Sequence, residues 1–292
     1  MTESQYLPPP HQHWGGEALW QQLEPLLPGL SVEVVARTES TNSTLIERVR
    51  AEGRNPGEAQ PFGRRQHDLQ PCLLVAEHQT HGRGRMGRAW HSSSGASLTF
   101  SLAVPLELSD WSGLSLVVGV ALADALEPWH EGRGDEAPRL SLKWPNDLWL
   151  DGRKLGGVLI ETVPAGGHRM AVIGVGLNIA PAWRDTDSLN ALSSGFACMQ
   201  ELDLDASAPQ VLALIAKPLV QALLDFQAQG FAPWLARYQR RDALNGRAIT
   251  AGALEGVARG ISPQGELLLQ TAQGLQALNG GEVSVRLTQT TL

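Results

Sequence analysis

The sequence predicts an α/β (α+β) fold followed by a small C-terminal β-barrel. Three observations carry this. Short apolar strands alternate with helical patterns over the first half of the chain. A run of hairpin-like strands follows, broken by turn signals such as Asp151-Gly152 and Ala165-Gly166-Gly167. From Asn245 the texture changes to short strands with a glycine at nearly every turn: Gly246, Gly252, Gly256, Gly260, Gly265, Gly274, Gly280 and Gly281. The 292 residues fit one large domain or two smaller ones, and the 42% of apolar residues is enough for a packed core.

Taken in order, residues 1–30 read as a loose lead-in, with a proline run at Pro8–Pro10 and a short helical piece near Glu17–Leu27. Val32–Ala36 is a strand. The cap formers from Thr38 to Ser43 precede Leu45, Ile46 and Val49, and Thr44 with Glu47 has capping-box spacing, so a helix starts about there. Asn55–Pro71 is rich in Gly, Pro and charge and reads as an exposed insertion. Cys72–Ala76 and Ser97–Val104 are strands. Trp111–Trp129 is a helix apolar on more than one face, hence buried. Leu140–Lys143, Asp147–Leu150, Gly156–Glu161 and Met170–Gly176 are strands, and Gln210–Gln227 and Phe231–Arg240 are helices separated by Gly230. The glycine-punctuated end makes a barrel of about 45 residues.

Charge narrows the function. The net charge of −7 argues against a general nucleic-acid binder. The most apolar stretch, Leu114–Leu126, is too short and too interrupted to span a bilayer. The N-terminus shows neither the basic nor the apolar region of a signal peptide. Cys72 and Cys198 form no CxxC pattern and read as free thiols, so a cytoplasmic enzyme is expected. No His/Cys/Asp cluster has zinc spacing, and no metal ligands are assigned. Against this acidic background, Gly82-Arg83-Gly84-Arg85-Met86-Gly87-Arg88 is a cationic island, with no Asp or Glu from His78 to Leu106. Glycine allows close backbone approach, and arginine offers a donor fork suited to carboxylate and phosphate. The pattern predicts a loop, mobile when free, that closes over a small anion. Only three lysines, Lys143, Lys154 and Lys217, stand against twenty arginines, and two of them lie close together.

Four segments in order carry a resemblance: Ser40-Thr41-Asn42; Gln79 through Trp90; Lys143-Trp144-Pro145-Asn146-Asp147 with Lys154-Leu155-Gly156-Gly157; and Gly174-Val175-Gly176-Leu177-Asn178. From about residue 32 to the terminal Gly280-Gly281-Glu282, the chain resembles biotin–protein ligase, that is, biotin–[acetyl-CoA-carboxylase] ligase. The resemblance implies a catalytic domain with a mixed sheet, related to class II aminoacyl-tRNA synthetases and biotin–lipoate ligases, over 31–243. An N-terminal extension (1–30) would precede it and an SH3-like barrel (244–292) would follow. It implies ATP-dependent biotinylation of a specific lysine on a biotin carboxyl carrier protein, through biotinyl-adenylate, with Mg²⁺ accompanying ATP.

By the resemblance, Arg83 and Lys154 are catalytic. Ser40, Thr41, Asn42, Gln79, Arg83, Gly84, Arg85, Lys154 and Gly157 bind biotin. Arg85, Arg88, Trp90, Asn146, Asp147, Asn178 and Phe196 bind ATP. The implied partners are the carrier proteins of acetyl-CoA carboxylase and related biotin-dependent carboxylases, with no DNA, no membrane and a homodimer left open. The departures are a lead-in of 39 residues before Ser40, too few for a winged-helix DNA-binding domain, the long insertion, and Met86 where a further arginine is common. A monofunctional ligase is therefore expected. The alternatives are a lipoate or octanoate–protein ligase or transferase of the same superfamily, and a non-catalytic biotin sensor.

Overall fold

The computed structural model describes residues 11–52, 70–128, 137–165, 168–181, 195–280 and 283–288. Its centre is a seven-stranded mixed sheet in the order β1-β2-β5-β9-β8-β7-β6. These strands are β1 (Ser31–Thr38), β2 (Cys72–Gln79), β5 (Ser97–Pro105), β6 (Leu140–Lys143), β7 (Asp147–Leu150), β8 (Arg153–Ala165) and β9 (His168–Asn178). Only β1 and β2 run parallel; every other neighbouring pair in this sheet is antiparallel. Helix α2 (Thr41–Glu52) lies between the two parallel strands in sequence, as such a crossover requires. The expected insertion at 55–71 falls outside the described residues except for its last two.

Strand alternation separates the two faces. On β9, Ala171, Ile173, Val175 and Leu177 join the main core, whereas Met170 and Val172 join a smaller cluster with Leu45, Ile46 and Val49 of α2. The main core holds α3 (Leu114–Leu126) and α4 (Ala208–Gln229), which pack on each other. α3 is apolar all round because both the sheet and α4 cover it. The 22 residues of α4 are long and apolar enough to cross a membrane, yet Val211, Leu212, Ile215, Leu219 and Phe226 are buried in this core. α2 covers only part of its face, and the rest of that face is available for a site.

The helix α2 begins at Thr41, earlier than Thr44–Glu47 suggests. Ser40 is its cap: Ser43 N donates to Ser40 Oγ at 3.4 Å and Thr44 N to Ser40 O at 2.9 Å, so the capping-box pair lies inside the first turns. Residues 14–30 are also not a loose lead-in. Helix α1 (Gly16–Leu23) buries Leu19 and Leu23, one turn apart on one face, and Trp14, Leu27 and Leu30 join the same core. Glu77 of β2 fastens the segment, accepting from Gln12 N, Trp14 Nε1 and His11 Nδ1. Burial alone would raise the Glu77 pKa, but these donors hold it below the ordinary carboxylate value. The expected helix at Phe231–Arg240 is a 3-10 turn (Ala232–Trp234) followed by α5 (Leu235–Gln239).

The C-terminal unit is an antiparallel sheet of β10 (Ala248–Ala251), β11 (Leu254–Ile261), β12 (Leu267–Thr271), β13 (Gly274–Leu278) and β14 (Val285–Leu287), ordered β13-β12-β11-β10-β14. It docks where the chain turns from β6 to β7: Trp144 Nε1 donates to Gly265 O at 3.0 Å. Gly265 lies so close to Gly113 that a Cβ there would sit 2.9 Å from the Gly113 Cα.

Candidate active site

Three glycines make the cavity floor possible. On the α2 face, Gly157 of β8 pairs with Gly176 of β9, and Gly174 pairs with Leu159. A Cβ on Gly174 would lie 2.3 Å from Asn42 Oδ1, and one on Gly176 would lie 2.5 Å from the Trp90 ring. One on Gly157 would meet Asp147 Oδ1 at 3.3 Å. Each glycine thus seats a side chain of the site. The Gly174-x-Gly176 pattern makes room for Asn42 and Trp90.

Above the floor is a cavity of about 830 Å³. One neighbourhood is polar and buried. Gln79 Oε1 accepts from Thr41 N at 2.7 Å and Thr41 Oγ1 at 3.1 Å. Ser101 Oγ donates to Asn42 Oδ1 at 2.6 Å and lies equally close to Thr41 Oγ1. Asn42 Nδ2 donates to Leu159 O at 3.2 Å and to Glu161 Oε2 at 3.0 Å. Ser40, Thr41, Asn42 and Gln79 are all buried, so this N-terminal turn of α2 is rigidly held.

The other neighbourhood is cationic. Among the described residues, the wall carries Arg83, Arg85, Arg88, Lys143, Lys154 and Arg286 against a single carboxylate, Asp147. The basic segment is a small hairpin: β3 (Gly82–Arg83) pairs with β4 (Ala89–Trp90) around a 3-10 turn at Arg85–Gly87. Met86 at the turn has φ 56°, in the left-handed region that non-glycine residues seldom adopt. Arg83 donates to Glu161. Arg85 donates to Asn146 Oδ1 at 3.3 Å and to Gly280 O, and Arg88 to Ser284 Oγ at 2.7 Å. The hairpin is therefore tied to both units. Lys154 Nζ lies 2.7 Å from Asp147 Oδ1. Burial pushes the Lys143 ammonium below its ordinary pKa; Asp147 opposes this, while Lys154, Arg88 and Arg286 add to it. Burial likewise lowers Arg85. A cavity with such an excess of positive charge stabilises an anion.

The structure brings the sequence-predicted site residues to this cavity with one exception. Ser40, Thr41, Asn42, Gln79, Arg83, Gly84, Arg85, Arg88, Trp90, Asn146, Asp147, Lys154, Gly157 and Asn178 all line it; Phe196 does not. Backbone bonds fasten its segment to Lys154: Lys154 N donates to Gly195 O at 3.1 Å and Ala197 N to Lys154 O at 2.9 Å. Arg153 Nη1 donates to Phe196 O at 3.1 Å. Asn178 is 3% exposed, and its Nδ2 donates to Lys154 O and Ala197 O, so it braces Lys154 as well as lining the wall. Asn146 Nδ2 donates to Val158 O at 2.7 Å, fixing the corner before β7. Trp90 Nε1 is buried with no acceptor among the described residues.

Sequence reasoning missed Ser101, Glu161 and Arg286, and noted Lys143 without placing it in the site. Ser101 had a signal: Ser97, Thr99 and Ser101 alternate with apolar residues along a strand that is buried on both faces. Glu161 had none, since only strand register brings it to Arg83.

Residues 64–178 match the Biotin/lipoate A/B protein ligase family, and residues 246–286 the Biotin protein ligase C terminal domain. A bifunctional ligase/repressor of Escherichia coli (strain K12) is 34% identical over 287 residues, 96% of this chain and 80% of that relative. A biotin–[acetyl-CoA-carboxylase] ligase of Mycobacterium tuberculosis is 30% identical over 302 residues, 97% of this chain and 98% of that protein. The chain belongs to the biotin protein ligase family. It is a biotin ligase, and its fold agrees. The structure of a biotin protein ligase from Aquifex aeolicus, solved in complex with biotin and ATP, matches with a TM-score of 0.68 at 26% identity, covering 88% of this chain and 99% of that one.

Proposed function

We propose that this biotin ligase activates biotin with ATP as biotinyl-adenylate and transfers the biotinyl group to a lysine of a biotin carboxyl carrier protein. The observation that carries this reading is a single cavity that joins a buried polar cluster to a strongly cationic wall. Biotin's ureido ring has donors and an acceptor that need partners in a buried place, and Ser40, Thr41, Asn42 and Gln79 are the groups at hand. A lipoyl or octanoyl chain has no such groups and would leave this cluster unused. The family likeness to proteins named for acetyl-CoA carboxylase supports the carrier of that enzyme as the acceptor.

Adenylate formation brings a carboxylate onto a phosphate. Arg83, Arg85, Arg88 and Lys154 stabilise the charge that develops; each charge-assisted contact is worth about 1.5–3 kcal/mol. Lys154 faces the carboxylate and the α-phosphate. Trp90 Nε1 offers its hydrogen to a substrate acceptor. Mg²⁺ fits the wall, because this ion keeps most of its ligands as water and phosphate oxygens and needs only one or two protein oxygens, here those of Asp147 and Asn146. When bound it neutralises the triphosphate. Among the described residues no group of three or more His, Cys, Asp or Glu could hold a metal without the substrate.

We read the chain as a ligase that acts in the cytoplasm without binding DNA, because its net charge of −7 opposes a polyanion. Incubation with biotin, MgATP and an apo carrier domain is expected to add one biotinyl group to the carrier, read by mass. An unmodified carrier, with no pyrophosphate released, would sink the proposal.

A further inference from the structure

Arg83 and Lys154, the two cations to which the resemblance gives catalytic roles, each hold a carboxylate. Lys154 holds Asp147, which is part of the cavity wall. Arg83 holds Glu161, which comes from β8 where it pairs with Val172 of β9. The same Glu161 oxygen, Oε2, accepts from Asn42 Nδ2 at 3.0 Å. One carboxylate therefore links the basic hairpin to the turn of α2 that carries Ser40–Asn42, with Arg83 and Glu161 side chains 43% and 30% exposed.

We propose that Glu161 is a positioning residue that holds Arg83 across the cavity and competes for it with the anionic ligand, so that its charge limits how firmly Arg83 retains biotinyl-adenylate. This rests on the reading above that Arg83 contacts the adenylate. An arginine stays charged throughout, and carboxylate and phosphate oxygens seek the same donors. An Arg83 contact to ligand through Nη2, the nitrogen that Glu161 holds, is gained at the expense of Glu161. The half-exposed setting keeps the pair weak, so the effect is a few-fold and not a hundredfold. Glu161→Gln keeps an acceptor for Asn42 Nδ2 and removes only the charge.

The test starts from protein loaded with biotin and MgATP, freed of excess by desalting, and follows loss of labelled adenylate with time. Thermal melts of each variant accompany it. Glu161→Gln is expected to lose adenylate about fivefold more slowly than the wild type. In an Arg83→Ala background the same substitution is expected to change nothing, which a merely structural role for Glu161 would not produce. If Arg83→Ala alone retains adenylate like the wild type, the reading of Arg83 fails, whatever Glu161 does. If Arg83→Ala hastens loss but Glu161→Gln leaves it unchanged or hastens it too, the competition is overturned. Should Glu161→Gln not fold, Glu161→Asp carries the test, since its shorter arm breaks the contact to Arg83. Unchanged or faster loss in that variant would then reject the proposal.

Discussion

Lys154 is one of three lysines in a chain with twenty arginines, and its surroundings explain why an arginine does not replace it. Its Nζ lies 2.7 Å from Asp147 Oδ1, over Gly157, where even a Cβ would come within 3.8 Å of the ammonium. A planar guanidinium needs more room and places its charge farther along the arm. Lys154→Arg is expected to lower kcat/KM for biotinylation by on the order of a hundredfold, as a misplacement of about 1 Å can do. Lys217→Arg, on an exposed face of α4, is expected to be silent. Equal activities of the two variants would refute the assignment. Lys143 gives a second prediction at this scale. Burial and neighbouring cations depress its pKa below the ordinary 10.5. An anion in the cavity favours the charged form and raises the pKa again, so ligand binding takes up protons at alkaline pH, between the depressed and the restored value. Calorimetric titration in buffers of different ionisation enthalpy reads this uptake, and Lys143→Met is expected to abolish it.

The strands β8 and β9 show what sequence patterns reveal and where they stop. The basic hairpin at Gly82–Trp90 was legible because no Asp or Glu lies from His78 to Leu106 and its composition was unlike the rest of the chain; its two short strands were not, since β3 and β4 have two residues each. Gly157, Gly174 and Gly176 were visible as glycines, but their shared purpose depends on the pairing Gly157↔Gly176, a relation between residues far apart in sequence. Gly176→Ala tests that purpose. Its Cβ would press on the Trp90 ring at 2.5 Å and displace the hairpin. Overpacking of this kind costs about 1–3 kcal/mol, felt where the hairpin closes the cavity. The expected result is a rise in KM for biotin or ATP of tenfold or more with a drop in melting temperature of a few degrees. A variant with unaltered kinetics would show that Trp90 does not need its glycine seat. The hairpin itself is expected to gain hydrogen-exchange protection over His81–Arg88 when adenylate binds, because the anion offsets the repulsion among Arg83, Arg85 and Arg88. Equal exchange with and without adenylate would contradict this.

At the scale of the molecule, local patterns located most strands and helices, because apolar alternation and turn residues are local quantities. Strand order was not legible, and neither were the packed segment at 14–30 or the position of Phe196, which depend on contacts such as Trp14 to Glu77 and Gly195 to Lys154. The least legible feature is the buried ion network that joins the helical layer to the sheet. Arg241, whose side chain is 1% exposed, follows α5 and reaches both α3 with its C-cap and β6. Its Nε donates to Asp124 Oδ1 of α3 at 2.8 Å, its Nη1 to Glu127 Oε2 at 3.1 Å and to Leu140 O of β6 at 2.9 Å. Arg237 holds the other Asp124 oxygen at 2.8 Å, while Glu127 also accepts from Arg139 N and Leu140 N. Nothing in the spacing of these residues marks them as partners. Replacing Arg241 leaves Asp124 and Glu127 short of a buried cation, and breaking a buried pair in this way costs about 3–5 kcal/mol. Arg241→Met, which keeps most of the volume, is therefore expected to lower the urea midpoint strongly while the protein that remains folded binds biotin with unchanged affinity, since Arg241 does not line the cavity. Removing both charges, in Arg241→Met with Glu127→Gln, is expected to recover part of the loss, because the penalty lies in the unpaired carboxylate. A double variant as unstable as the sum of the two single ones would show that the network contributes by packing alone.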